Sequence, residues 1–154
     1  MEIKRVTGRD IKYLIIHCAY TKRSMDISAA DVRRWHKAKG WRDIGYNYYI
    51  KFDGTIEEGR DLKFNGAHTL GHNHDSIAIC LEGGMSEQGT PEDTLTVDQW
   101  VSVAKIYMES VKVYPRIVLA GHNQFNNKKC PSFDVREYAD KHNIPCLDTQ
   151  PFGF

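Results

Sequence analysis

No run of this sequence is long and apolar enough to cross a bilayer as a helix, which takes roughly 20 residues. Membrane insertion is therefore not expected. Neither sign of charge is in excess, since 21 Lys and Arg stand against 20 Asp and Glu. That balance offers no basic field to a phosphate backbone, so nucleic acid is not the default partner. The four cysteines, Cys18, Cys80, Cys130 and Cys146, show no close pairing and read as reduced thiols rather than a disulfide framework. Only Cys130 has chemical neighbours in the sequence. The opening Met1-Glu-Ile-Lys-Arg-Val6 lacks the apolar core of a secretory signal, so synthesis as a cytosolic protein is expected. H-E-x-x-H, G-x-S-x-G, G-x-G-x-x-G and the P-loop are all missing, which removes the usual support for serine-hydrolase and nucleotide chemistry.

What is present suffices for one core. A chain of 154 residues, 41% hydrophobic, is too short for two ordinary domains, so residues 1–154 are expected to form a single domain. Lys12 to Ile16 turns wholly apolar, as a strand buried on both faces does. Ser28 is placed to cap a helix from Ala29 to Lys39 that stops at Gly40, with Val32, Trp35 and His36 or Lys39 on one face. Tyr46 to Phe52, the Asp53-Gly54 turn and Thr55 to Glu58 make a hairpin. Arg60 to Asp75, rich in Gly, Asn and His, reads as a surface loop of the functional kind. Ile77 to Leu81 is another buried strand and Gly83 to Pro91 a polar excursion. Thr96-Val-Asp-Gln99 is a capping box that opens a helix to about Tyr114. Ile117 to Ala120 is a short buried strand, and Asp134 with Glu137 opens a last helix through Tyr138. Strands separated by helices, with one antiparallel hairpin, imply an α/β fold: a mixed β-sheet flanked by helices.

The segment His122-Asn-Gln-Phe-Asn-Asn-Lys128-Lys-Cys130-Pro-Ser-Phe-Asp134 puts an imidazole, an ammonium and a thiol on one short loop. With His17, at the end of the first apolar run, it supplies three zinc ligands and leaves one position open, the pattern of a catalytic rather than a structural site. Both histidines follow strands, whose carboxyl ends form the ligand crevice of open α/β sheets. By spacing alone His-x7-Cys is a weak signal, because seven histidines supply accidental pairs. A rival metal cluster is His68, His72 and His74 on the Gly-rich loop. A loop orients ligands poorly and no soft donor accompanies these three. His68, Trp41 and Phe64 read instead as walls of a substrate groove.

Several runs fall together in one register. Ile15-Ile-His17-Cys-Ala19, Trp35-His-Lys-x-x-Gly-Trp41-x-Asp-Ile-Gly-Tyr46-Asn-Tyr-Tyr-Ile50, Asp53-Gly-Thr55 with Gly59-Arg60, Asn73-His-Asp-Ser-Ile77, Gly83-Gly84 and His122-x7-Cys130-Pro-Ser-Phe-Asp134 resemble the phage N-acetylmuramoyl-L-alanine amidases. The likeness runs from about Ile11 to about Lys141. It implies the amidase and peptidoglycan-recognition fold, with His17, His122 and Cys130 as zinc ligands and Tyr46 and Lys128 as catalytic partners. It further implies an endolysin that cuts the amide between N-acetylmuramic acid and L-alanine in bacterial peptidoglycan. A monomer is expected, made in the host cytoplasm, and the lack of a signal points to release through a separate membrane-pore protein. The resemblance also raises a phage RNA polymerase as a second partner. Lys129 beside Lys128 and the divergent ends are departures from the pattern. Two rival functions remain: a glycosidase using Asp53, Glu57 or Glu58 as its carboxylates, and a module that binds peptidoglycan without cutting it. The presence of Cys130 speaks against the second.

Overall fold

The computed structural model describes residues 1–153. Tyr13–Cys18 forms strand β1 and Thr21–Lys22 a two-residue strand β2. Helix α1 follows at Ala29–Ala38, then β3 at Tyr48–Ile50 and β4 at Ile56–Glu58. β5 spans Ser76–Leu81, β6 Gly84–Met85 and the long helix α2 Val97–Val113. β7 at Val118–Gly121 runs into a 3-10 turn at His122–Gln124, and α3 covers Val135–Lys141.

The main sheet has the order β4-β3-β5-β1-β7. All its pairings are parallel except the β3–β4 hairpin. β5 and β1 occupy the middle, which is why their sequences are continuously apolar rather than alternating. Successive side chains still point to opposite faces. Leu14, Ile16, Ile77, Ile79 and Leu81 meet Trp100, Val103, Ile106 and Tyr107 of α2 and Val135 and Ala139 of α3. Tyr49 and Cys80 face the other way, onto Ile27, Val32 and Ile44 around α1.

Both larger helices begin as the sequence predicts. Ser28 and Asp31 form a reciprocal capping box on α1, and Thr96 and Gln99 form one on α2. Gln99 also reaches inward, where its buried amide donates to Ile50 O at 3.2 Å and Glu82 O at 3.0 Å. The cap therefore ties α2 to the sheet as well as starting it. The buried face of α1 is Ala29, Val32 and His36. Trp35, expected on that face, is 40% exposed; one position short of His36, it turns off the narrow stripe that so small a helix buries. The polar excursion after β5 also hides order, since Gly84–Met85 pairs in parallel with Thr21–Lys22. A two-residue pairing around glycine carries no hydrophobic period. His17 lies within β1 rather than beyond its end. No helix of the described residues is long and apolar enough to cross a membrane.

Candidate metal centre

Strand register builds the site. Ile16 pairs with Gly121 across β1 and β7, so His122, the next residue, falls beside His17, with ring centroids 4.4 Å apart. The chain then turns, and Asn123 braces the loop by donating to Phe133 O at 3.0 Å and Lys129 O at 3.4 Å. This return brings Cys130 back to the end of β1, where its sulfur accepts the Cys18 backbone N–H at 3.2 Å. One ligand atom from each of His17, His122 and Cys130 lies within 4.8 Å of the others. Among the described residues this is the one group of three His, Cys, Asp or Glu side chains close enough to share an ion.

The hydrogen bonds around the rings decide which nitrogen is available. His17 Nε2 is engaged by His68 Nδ1 at 2.9 Å and Thr69 Oγ1 at 3.3 Å, which leaves Nδ1 for a cation. His68 Nε2 continues to Ser76 Oγ at 3.2 Å, and that hydroxyl donates to His72 O at 2.6 Å. One set of tautomers satisfies the whole chain: His17 Nε2–H donates to His68, His68 Nε2–H to Ser76, and Ser76 to the backbone. His122 repeats the pattern. Its Nε2 meets the Asn126 amide at 2.8 Å, while its buried Nδ1 has no partner, and neither does Asn126 Oδ1. A cation at Nδ1 fills the first gap and puts the proton on Nε2, where a turned Asn126 amide accepts it through Oδ1 and closes the second. Outer partners of this kind fix the orientation of metal-bound imidazoles.

Electrostatics agree with that donor set. Burial is the main cause holding His17 far below the usual imidazole range, with His68 and His122 adding to it. Burial, then the Lys128 ammonium, brings His122 down to about 4. Burial followed by the charges of His122, Arg9 and Arg60 brings His68 to about 3. All three rings are neutral at pH 7; His17 and His122 keep a lone pair for a Lewis acid, while that of His68 accepts the His17 N–H. Burial pushes the Cys130 thiol well up, so the thiolate that a soft metal needs forms only with the cation beside it. Two neutral imidazoles and a thiol that can ionise on binding suit zinc.

Residues 7–133 match the N-acetylmuramoyl-L-alanine amidase family. The chain belongs to that family. It is 37% identical over 135 residues to the endolysin of Escherichia phage T7, covering 88% of this chain and 89% of the phage protein. Its fold resembles the N-acetylmuramoyl-L-alanine amidase LysC from Clostridium intestinale, with TM-score 0.76 and 26% identity over 88% of this chain and 87% of that one. It also resembles Drosophila PGRP-LB, with TM-score 0.73 and 27% identity over 95% and 89% of the two chains.

The amidase brings Tyr46 to the centre, its ring 5.0 Å from His17. Burial, then the thiols of Cys80, Cys130 and Cys18, raises the Tyr46 phenol well above its usual value, so it stays a neutral hydrogen-bonding group. Lys128 is exposed and close enough to His122 to depress its basicity. Trp41 stacks on His36 at 4.5 Å, and His36 lies 5.5 Å from the Tyr46 ring. Phe64 stands 56% exposed on the following loop. The rival histidine cluster is dispersed. His68 joins His17, His72 packs against Tyr13 and Phe125 and meets Asp75 at 3.2 Å, and His74 points outward near Asp75. Two of the three glycosidase candidates have structural work instead: Asp53 accepts the Thr55 N–H of its turn at 2.9 Å, and Glu57 accepts the Ala29 N–H at 2.8 Å; Glu58 is exposed at the edge strand β4.

Four contributors escape sequence reasoning: Thr69, Ser76, Asn126 and Cys18. Cys130 is not the one cysteine with chemical neighbours, because Cys18 gives it a backbone donor and an adjacent thiol. Spacing offers a signal only for Asn126, four residues after His122.

Proposed function

We propose that this amidase is a zinc-dependent endolysin that hydrolyses the amide joining N-acetylmuramic acid to L-alanine in peptidoglycan, with His17, His122 and Cys130 holding the metal. The orphaned, buried Nδ1 of His122, facing a second neutral imidazole and a thiol, is the observation that carries this reading. When bound, zinc supplies a Lewis acid that lowers the pKa of a water and polarises an amide carbonyl. The remaining work falls to the chain. His68, fixed through Ser76, holds His17 in one tautomer and orientation. Tyr46, kept protonated by burial, directs its hydroxyl at the attacking water or the departing amine. Lys128 presents a positive charge to the carbonyl oxygen as negative charge develops there. Trp41 and Phe64 line the approach for sugar and peptide. The phage endolysin relative supports action on the cell wall, after release from the host cytoplasm through a separate pore-forming protein.

The deciding experiment is a peptidoglycan digest with the protein as purified, after chelation, and after zinc is restored. New amino termini without new reducing sugars, lost on chelation and regained with zinc, are expected. New reducing ends would make the protein a glycosidase, and unchanged activity after complete metal removal would end the zinc reading.

A further inference from the structure

Beyond α3 the chain returns to the metal centre. Pro145 to Leu147 runs alongside β7, where Leu119 N–H donates to Pro145 O at 2.9 Å and Leu147 N–H donates to Leu119 O at 2.8 Å. Residues 148–150, which follow, are exposed, so apolar burial does not account for their course. Hydrogen bonds do. The Gln124 amide donates to Leu147 O at 2.8 Å and to Thr149 O at 2.9 Å, and Phe152 N–H donates to Asn123 O at 2.8 Å. Pro151, between these ties, is buried. The segment that matches the family stops at residue 133, and this tail lies outside it.

Gln124 is the joint. Its Oε1 accepts the Gly121 N–H at 2.8 Å while its Nε2 holds the tail, so one side chain fastens the residue before His122 to carbonyls 23 and 25 positions downstream of itself. Both hydrogens of Nε2 and one lone pair of Oε1 are engaged. An exchanged amide would set its oxygen against two carbonyls, which fixes the orientation shown. His122 rides on the turn so held, and it carries the buried Nδ1 that lacks a partner. Small displacements of a ligand ring cost metal affinity, which is why supporting groups around such rings tune it.

We propose that Gln124 is a positioning residue that fastens the His122 turn to the C-terminal tail, and that this tie tightens zinc binding at the three-ligand centre. The proposal rests on the zinc reading, because it concerns how firmly His122 is held for the metal. Asn126 meets the ring itself; Gln124 and the tail act through the backbone. Coupling of this kind is reciprocal, so a loaded metal centre holds the tail more firmly in turn.

The test titrates the full-length protein, prepared free of metal, with zinc in a metal buffer. Gln124→Glu keeps the size and the acceptor for Gly121 but sets an oxygen against the two carbonyls, and zinc affinity should fall about 10-fold, the low end of what supporting groups cost. Phe152→Pro deletes the donor to Asn123 and should weaken zinc binding in the same direction, whereas Phe152→Ala keeps that donor and should not. Zinc should also slow hydrogen exchange at the Phe152 amide of the wild-type protein, and do so less in Gln124→Glu. Ile106→Ala controls for lost stability alone: its melting temperature should fall with zinc affinity unchanged. Wild-type affinity in both Gln124→Glu and Phe152→Pro overturns the tie and leaves the zinc reading standing. An equal loss of affinity in Phe152→Ala or Ile106→Ala, or exchange at Phe152 that ignores zinc, does the same. If the wild-type protein takes up no zinc, the zinc reading fails first and this one with it.

Discussion

On the face of the central sheet that meets α2 and α3, Leu14, Ile16, Ile77, Ile79 and Leu81 form a buried apolar layer. On the opposite face the same two strands present His17 and Cys80, backed by Tyr49 and bordered by Tyr46 and His36. The residues alternate, so one strand serves two environments at once. The first face gains from excluding water and asks little of any one residue beyond volume. The second buries polar groups as well, and holds imidazoles neutral that solvent would protonate. Stability and chemistry are separated by the pleat, although they share a backbone.

The comparison is broken most severely at Cys130. Cys130→Ser should abolish hydrolysis and lower the zinc content of the purified protein, because the soft donor is lost. Metal analysis beside the digest checks it; one retained zinc with full activity would remove Cys130 from the ligand set.

A finer cut leaves the metal in place. Tyr46→Phe keeps the ring and its packing, and should cost roughly 100-fold to 10,000-fold in turnover with zinc unchanged. Lys128→Ala, at an exposed position, should cost roughly 100-fold with zinc and melting temperature unchanged. Normal turnover in either variant would return that side chain to a packing or surface role.

The apolar face should respond in the opposite way. Ile106→Ala, fully buried under the sheet, should lose about 2–5 kcal/mol of unfolding free energy in the zinc-loaded protein. Activity per folded molecule should hold. Denaturant unfolding paired with turnover measures both, and a fall in turnover without a fall in stability would show that the two faces are not separate.

The smallest effect is one of pH. In metal-stripped protein, His122 at about 4 and His68 at about 3 resist protons that the unfolded chain takes up from about 6.5 downward. Unfolded molecules therefore bind more protons in that window, and stability should fall as pH drops from about 6.5 to 4, with the contribution of each ring levelling off below its folded value. His68→Gln should flatten the dependence of melting temperature on pH between those limits; an unaltered slope would mean that His68 is not among the groups responsible.

Much of this was legible in the order of residues. The capping boxes at Ser28 and Thr96, the Asp53-Gly54 turn and the apolar runs of β1 and β5 are local signals, and each produces the element it announces. Trp35 misled because amphipathic spacing in a ten-residue helix leaves the edge of the buried stripe undecided. The β2–β6 pairing was hidden because two residues carry no period.

By itself, the sequence supplied the candidate donors, two histidines and a cysteine with an adjacent lysine, and strands apolar enough to be driven inside. Those are properties of residue type. Only the tertiary structure decided that Gly121 pairs with Ile16 and so sets His122 beside His17, and that His68 meets the His17 ring while His72 and His74 stand apart. These depend on register between strands and on loops returning to distant segments, and such long-range geometry is settled by the packing of the whole chain.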